Sequence, residues 1–142
     1  MNALLETLEP AFGTKIGELI PLVNAATNRT WVIVQGRRTI SQQNALYAQG
    51  RTAAGKIVTN APGGSSAHNF GLAADIAPMK MDGSDVDWSA PDSLFKQMAD
   101  IAVSQGLVSG YYFHSIHDAD HVEDPDWKVQ QGLWKTGKLH VA

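Results

Sequence analysis

Ser66-Ala67-His68-Asn69-Phe70-Gly71-Leu72-Ala73-Ala74-Asp75 places an imidazole and a carboxylate seven residues apart, with small residues between them. That is a metal-ligand arrangement. A catalytic zinc takes a few nitrogen and oxygen ligands at about 2.0–2.2 Å in tetrahedral disposition and keeps one position for water. Leu72 to Ala77 reads as a short strand, in which alternate side chains share a face, so Asp75 and Ala73 point together and the alanine leaves room beside the ion. His68 stands before Gly71, whose backbone freedom lets the imidazole swing in from the preceding loop. Two ligands are too few. The search for a third leads to His114-Ser115-Ile116-His117-Asp118-Ala119-Asp120-His121-Val122-Glu123, which holds three of the four remaining histidines, two aspartates and a glutamate. Its end, His121 to Glu123, reads as a strand beside that of Asp75.

Working outward, Leu4, Leu5 and Leu8, then Ile16, Leu19, Ile20, Leu22 and Val23, recur at helical spacing, interrupted by Gly13 and Pro21. This predicts two short helices or one kinked helix. Trp31 to Val34 is a β-branched run ending at Gly36, a buried strand that delivers Arg37 and Arg38 at its end. Thr39 and Gln42 have the capping-box spacing and open a helix through Ala48, stopped by Gly50. From Arg51 to Ser66 the composition shifts to Gly, Pro, Ala, Ser and Thr, which marks a long and therefore functional loop. Met79 to Ala90 is a polar loop. Asp92 to Gln105 predicts an amphipathic helix with Leu94, Met98, Ile101 and Ala102 inward and Gly106 as its stop. Asp126 to Lys135 predicts a terminal helix packing over the core, with Trp88, Trp127 and Trp134 as core and rim packing.

At 142 residues the chain fits one domain, residues 1–142, with no room for a separate folded binding module. The net charge of −3 offers no basic footprint for nucleic acid. With no cysteine, a zinc must be held by His and carboxylate alone, which favours an open catalytic site over a closed structural one. Met1 to Pro10 lacks Lys and Arg, and no apolar run long enough for a signal peptide or a membrane span follows. Lys128, Lys135 and Lys138 form a modestly basic C-terminal face suited to solvation or to meeting an anionic wall.

The two quoted stretches together resemble the zinc D-alanyl-D-alanine carboxypeptidases and L-alanyl-D-glutamate endopeptidases that cut peptidoglycan stem peptides, most closely the single-domain phage endolysins among them. The family pattern Ser-x-His-x-x-Gly-x-Ala-x-Asp, followed some tens of residues later by Asp/Glu-x-x-His, is present in order. An upstream Gly-x-Arg-Thr-x-x-x-Gln element is matched by Gly36 to Gln43. Leu46-Tyr47-Ala48-Gln49-Gly50-Arg51-Thr52 and Gly55 to Thr59 are similar to the endolysin branch, so the likeness runs from about Trp31 to Glu123.

The resemblance implies an α+β fold of the Hedgehog/DD-peptidase type, a small and mainly antiparallel sheet carrying zinc on one face with helices packed behind. It makes His68, Asp75 and His121 the zinc ligands. Asp118 becomes the general base, off the metal, taking a proton from the water that zinc acidifies and later protonating the leaving amine. Arg38 faces the substrate and, with zinc, stabilises the negative charge on the former carbonyl oxygen. Arg37 or Arg51 holds a substrate carboxylate, with the choice open. Ser66 binds substrate or orients its loop. His117 is expected at the cleft wall or as a residue tuning the proton, because a fourth protein ligand would close the position water needs. Asp120 shares the chemistry of Asp118, and the family spacing selects Asp118. Where related endolysins show a Gly-Gly-x-Trp run, this chain reads Ser109-Gly110-Tyr111-Tyr112-Phe113-His114, a departure that falls on the cleft.

The expected activity is that of a monomeric zinc endolysin, made in the bacterial cytoplasm and reaching the wall through a holin or lysis, that cleaves the L-alanyl-D-glutamate bond. A D-alanyl-D-alanine carboxypeptidase or dipeptidase is the alternative, and a zinc-bearing module that has lost catalysis a third.

Overall fold

The computed structural model describes residues 3–142; Met1 and Asn2, the start of the stretch read for a signal peptide, lie outside them. A 3₁₀ turn over Ala3–Thr7 precedes helix α1, Pro10–Thr27. The break between them falls at Leu8 and Glu9, and both Gly13 and Pro21 lie inside α1. Proline suits the first turn because its missing N–H has no intrahelical partner there. Glu9 accepts hydrogen bonds from the N–H groups of Ala11 and Phe12 and so caps the helix.

Strand β1, Trp31–Gln35, leads to helix α2, Ile40–Ala48, which opens with the expected reciprocal box between Thr39 and Gln42. Strand β2, Ala73–Pro78, helix α3, Asp92–Ser104, strands β3, Val108–Ser109, and β4, His121–Glu123, and helix α4, Trp127–Lys135, complete the chain. The sheet order is β1-β2-β4-β3, and every neighbouring pair is antiparallel. This is the α+β architecture expected. Two-residue β3 is too short for any period to announce it.

Alternation along the strands decides which residues enter the core. Ala74, Ile76 and Val122 are fully buried and belong to one cluster with Phe12, Ile16, Leu19 and Val23 of α1 and Met98 and Ala102 of α3. The buried face of α3 is Phe95, Met98, Ala99 and Ala102, while Leu94 and Ile101 flank it half-buried. The helix is therefore rotated by a fraction of a turn from the expected inward set. Trp31 packs edge-on to Phe95, with ring centroids 5.6 Å apart. Trp127 and Trp134 both lie against Phe70, at 6.0 and 6.1 Å, which seats α4 over the His68 turn. Trp88 does not join them: it is 61% exposed on the polar loop. None of the described helices is long and apolar enough to cross a membrane.

One side chain ties the functional loops together. Asn69 is completely buried, donates to the carbonyls of Arg38 and Thr39, and accepts from the N–H of Gly64. It joins the end of β1, the glycine-rich loop and the turn carrying His68. Gln131 of α4 adds a bond to the Gly64 carbonyl at 2.9 Å.

Candidate metal centre and its cleft

Asp75 and His121 are directly opposed across the β2–β4 pair. Their neighbours Ala74 and Val122 fill the core, so the alternation sends Asp75 and His121 to the other face. His68 arrives from a 3₁₀ turn, Ala67–Phe70, whose start is capped by the Ser66 hydroxyl accepting from the His68 N–H. Gly71 ends that turn at φ 70°, a left-handed conformation that glycine takes without strain. A β-carbon there would also collide with the Arg37 guanidinium.

The geometry of the trio fits a metal. His68 Nε2 and His121 Nδ1 each lie 3.3 Å from Asp75 Oδ1. For bonds of about 2.05 Å the edge of a tetrahedron is about 3.3 Å, so these separations are those of neighbouring ligands on one zinc-sized ion. Asp75 Oδ1 and His121 Nδ1 are buried without a hydrogen-bond partner, an expensive state that a shared cation relieves. The outer nitrogens are already engaged: His68 Nδ1 with the Gly36 carbonyl at 2.8 Å, and His121 Nε2 with Glu123 Oε1 at 2.7 Å. Such outer bonds leave the inward nitrogen of each ring as the lone-pair donor.

Electrostatics without the metal show the same competition for charge. Burial works against the ionised form of Asp75, yet the His121 and His68 imidazoles that face it hold its carboxyl well below the usual carboxylate range. Burial also opposes a charge on His121, and Asp75 and Glu123 outweigh it, raising the imidazole to about 10. A metal must displace that proton. Below pH 10 the proton is held and competes with the ion, so zinc affinity is expected to rise with pH by up to about tenfold per unit between pH 7 and 10. Calorimetric titrations in buffers of different ionisation enthalpy should show about one proton or more released per zinc at pH 7.5; zero release would refute the assignment of His121.

The trio opens into a cleft of about 570 Å³. Asp118 lines it, 45% exposed, with Oδ2 3.7 Å from His121 Nδ1. The turn before it needs Gly110, where a β-carbon would stand 2.9 Å from the β-carbons of both Asp118 and His121. Asp120 also lines the cleft, but burial, with Asp75 and Asp118 beside it, pushes its carboxyl up to about 8. Without a metal, the proton on Asp120 is thus favoured at neutral pH.

Arg38 reaches the cleft, its Nη1 donating to Gln43 at 2.8 Å and its Nη2 3.9 Å from Asp75. Burial lowers its pKa against the pull of Asp75, Asp118 and Asp120. The fully buried Gln43 also donates to the Ala61 carbonyl, so one amide fixes both the arginine and the cleft rim. Ser66 lines the cleft as well as capping the His68 turn.

Three expected substrate contacts lie elsewhere. Arg37 is outside the cleft wall, bonded through Nε to the Thr7 carbonyl and near the Asn69 carbonyl. Arg51 lies over the Tyr47 ring at 3.9 Å and bonds the carbonyls of Tyr47 and Thr59, bracing the rim from behind. His117 packs edge-on against Tyr111 and engages its carbonyl, while Phe113, Ser115 and Ile116 supply the wall. Both arginines find backbone carbonyls nearby, and neither reaches the metal face. Glu123 and Lys128, which no motif marks as site residues, also line the cleft. Glu123 was signalled by its i, i+2 relation to His121 on one strand face.

A buried His/Asp/His trio on the face of a small antiparallel sheet, with a free carboxylate beside it and an open cleft before it, defines a metallopeptidase domain. The chain belongs to the VanY family of D-alanyl-D-alanine carboxypeptidases, whose sequence pattern it matches over residues 7–131. It is 40% identical over 98 residues to the peptidoglycan L-alanyl-D-glutamate endopeptidase CwlK of Bacillus subtilis (strain 168), covering 65% of this chain and 59% of CwlK. The match thus spans less than two thirds of that relative. The fold is shared with the Serratia marcescens L-Ala D-Glu endopeptidase ChiX, with TM-score 0.58, 18% identity, and 88% of this chain and 86% of ChiX covered. It is also shared with a Zn(II) complex of a mutant of the vancomycin-resistance D,D-pentapeptidase VanY from a VanB-type cassette, with TM-score 0.61, 16% identity, and 92% and 79% covered.

Proposed function

We propose that this protein is a zinc-dependent peptidoglycan hydrolase that cleaves the L-alanyl-D-glutamate bond of stem peptides and serves as an endolysin in the lysis of a bacterial host. The carrying observation is the pair of 3.3 Å separations that bring His68, Asp75 and His121 onto one ion position, with Asp118 just off it. His68, Asp75 and His121 would hold the zinc, whose chemistry there would be to lower the pKa of a water and polarise the scissile carbonyl. Asp118 takes the proton from the attacking water and returns it to the leaving amine. Arg38, held by Gln43, turns its remaining N–H groups toward the oxygen on which negative charge develops. The choice of bond rests on the identity with CwlK and the lysis role on the endolysin-like stretch from Leu46 to Thr59. A second reading, a D-alanyl-D-alanine carboxypeptidase, is favoured by the description of the matched family.

Mass spectrometry of purified peptidoglycan, digested with and without a zinc chelator, separates the two. Chelator-sensitive release of peptides with a new N-terminal D-glutamate is expected. Loss of terminal D-alanine alone would move the protein to the carboxypeptidases, and no product from any wall type would leave a non-catalytic module.

A further inference from the structure

The cleft wall carries four carboxyl groups, on Asp75, Asp118, Asp120 and Glu123, against two permanent cations, Arg38 and Lys128. A stem peptide is itself anionic. Its D-glutamate is joined to the next residue through the side-chain carboxyl, which leaves the α-carboxylate free and one carbon from the scissile amide nitrogen. Arg38 and Lys128 are the two side-chain cations on the wall that could receive that carboxylate.

Arg38 is committed: one arm of its guanidinium is bonded to Gln43 and the other faces Asp75. Lys128 is different. It sits in the first turn of α4, is exposed, and makes no ion pair among the described residues. Its ammonium lies 5.9 Å from the centroid of the Trp127 ring, which lines the same cleft, so the ring face holds the charge at the wall by cation–π attraction. An exposed ammonium on the cleft wall suits a carboxylate that stays partly hydrated in the complex.

Resting on the endopeptidase reading above, we propose that Lys128 is a specificity-determining residue that receives the free α-carboxylate of the D-glutamate and selects it over the α-carboxamide of amidated stem peptides.

The test compares kcat/KM on two synthetic stem peptides that differ only in this group, carboxylate or carboxamide, for the zinc-loaded wild type, Lys128→Gln and Lys128→Arg. An exposed ion pair sets the scale, so the wild type is expected to prefer the carboxylate about fivefold at low salt. The preference should shrink as salt is raised. Lys128→Gln should bring the ratio close to one, and Lys128→Arg should restore it. A wild type without preference, or a preference that survives Lys128→Gln, overturns the proposal and leaves the endopeptidase assignment standing. A wild type that cuts neither peptide overturns that assignment and the proposal with it. Lys128 is exposed, and equal melting temperatures for the three proteins would show that the comparison is between folded molecules.

Discussion

Asp118→Ala is expected to retain the fold and one zinc per chain while losing at least about two orders of magnitude in kcat/KM, the usual scale for a general base. Three observations set this expectation. The side chain is 45% exposed, so truncating it opens no cavity in the core. Its carboxylate stands 3.7 Å from His121 Nδ1, outside the 3.3 Å spacing of the trio, close enough to receive a proton from a water there without being a ligand. Asp120, the one other unassigned carboxyl in the cluster with Asp75, makes no ion pair with His121 among the described residues and so stands less directly on the ion position. Asp118→Asn is the sharper variant, since it keeps the shape and removes the basicity. Turnover within tenfold of wild type in either variant would show that another group takes the proton. Loss of zinc together with activity would instead make Asp118 a ligand.

Asp75→Ala should abolish zinc binding at micromolar metal and activity with it. This carboxylate is the hub of the centre, with Oδ1 facing both imidazoles and Oδ2 facing Arg38. Removing it leaves two imidazoles for an ion that wants at least three protein ligands in a catalytic site. The consequence is also thermodynamic. A ligand that binds only the folded state stabilises it by about 2.7 kcal/mol at one hundred times its dissociation constant, so zinc should raise the wild-type melting temperature and leave that of the variant unmoved. Metal analysis of the purified variant checks the same point, and an undiminished zinc content would remove Asp75 from the ligand set. Without zinc, His121 in the variant loses the neighbour that most raises its pKa. The stability conferred by its protonation, present below about pH 6.5 and lost as pH climbs through 10 in the wild type, should then be lost at lower pH.

Much of this molecule was legible in the chain because the signals were local. The capping box at Thr39 and Gln42 needs only residues within one turn, and it formed as read. The β2 and β4 segments were visible because β-strand alternation and the spacing of His, Gly, Ala and Asp obey short periods, and their pairing followed from the need to gather ligands. The substrate contacts are less local. Arginines 37, 38 and 51 share one chemistry, and what separates them is which carbonyls stand within reach after folding: Thr7 for Arg37, Tyr47 and Thr59 for Arg51, and for Arg38 a buried glutamine. His117 is expected from sequence at the cleft wall or as a residue tuning the proton; folding sets its ring against Tyr111, while Ile116 lines the wall.

The sequence by itself determined the fold class, the family and the group of residues from which a metal centre can be built, because periodicity, caps and ligand spacing act over a few residues and survive without knowledge of the rest. Tertiary structure alone decided which imidazole nitrogens face inward, through the Gly36 carbonyl and Glu123; that the Asp120 carboxyl is pushed up, through burial beside Asp75; and which cations meet the cleft. Those outcomes depend on distances and solvent exclusion between segments tens of residues apart, and such quantities exist only once the chain has closed on itself.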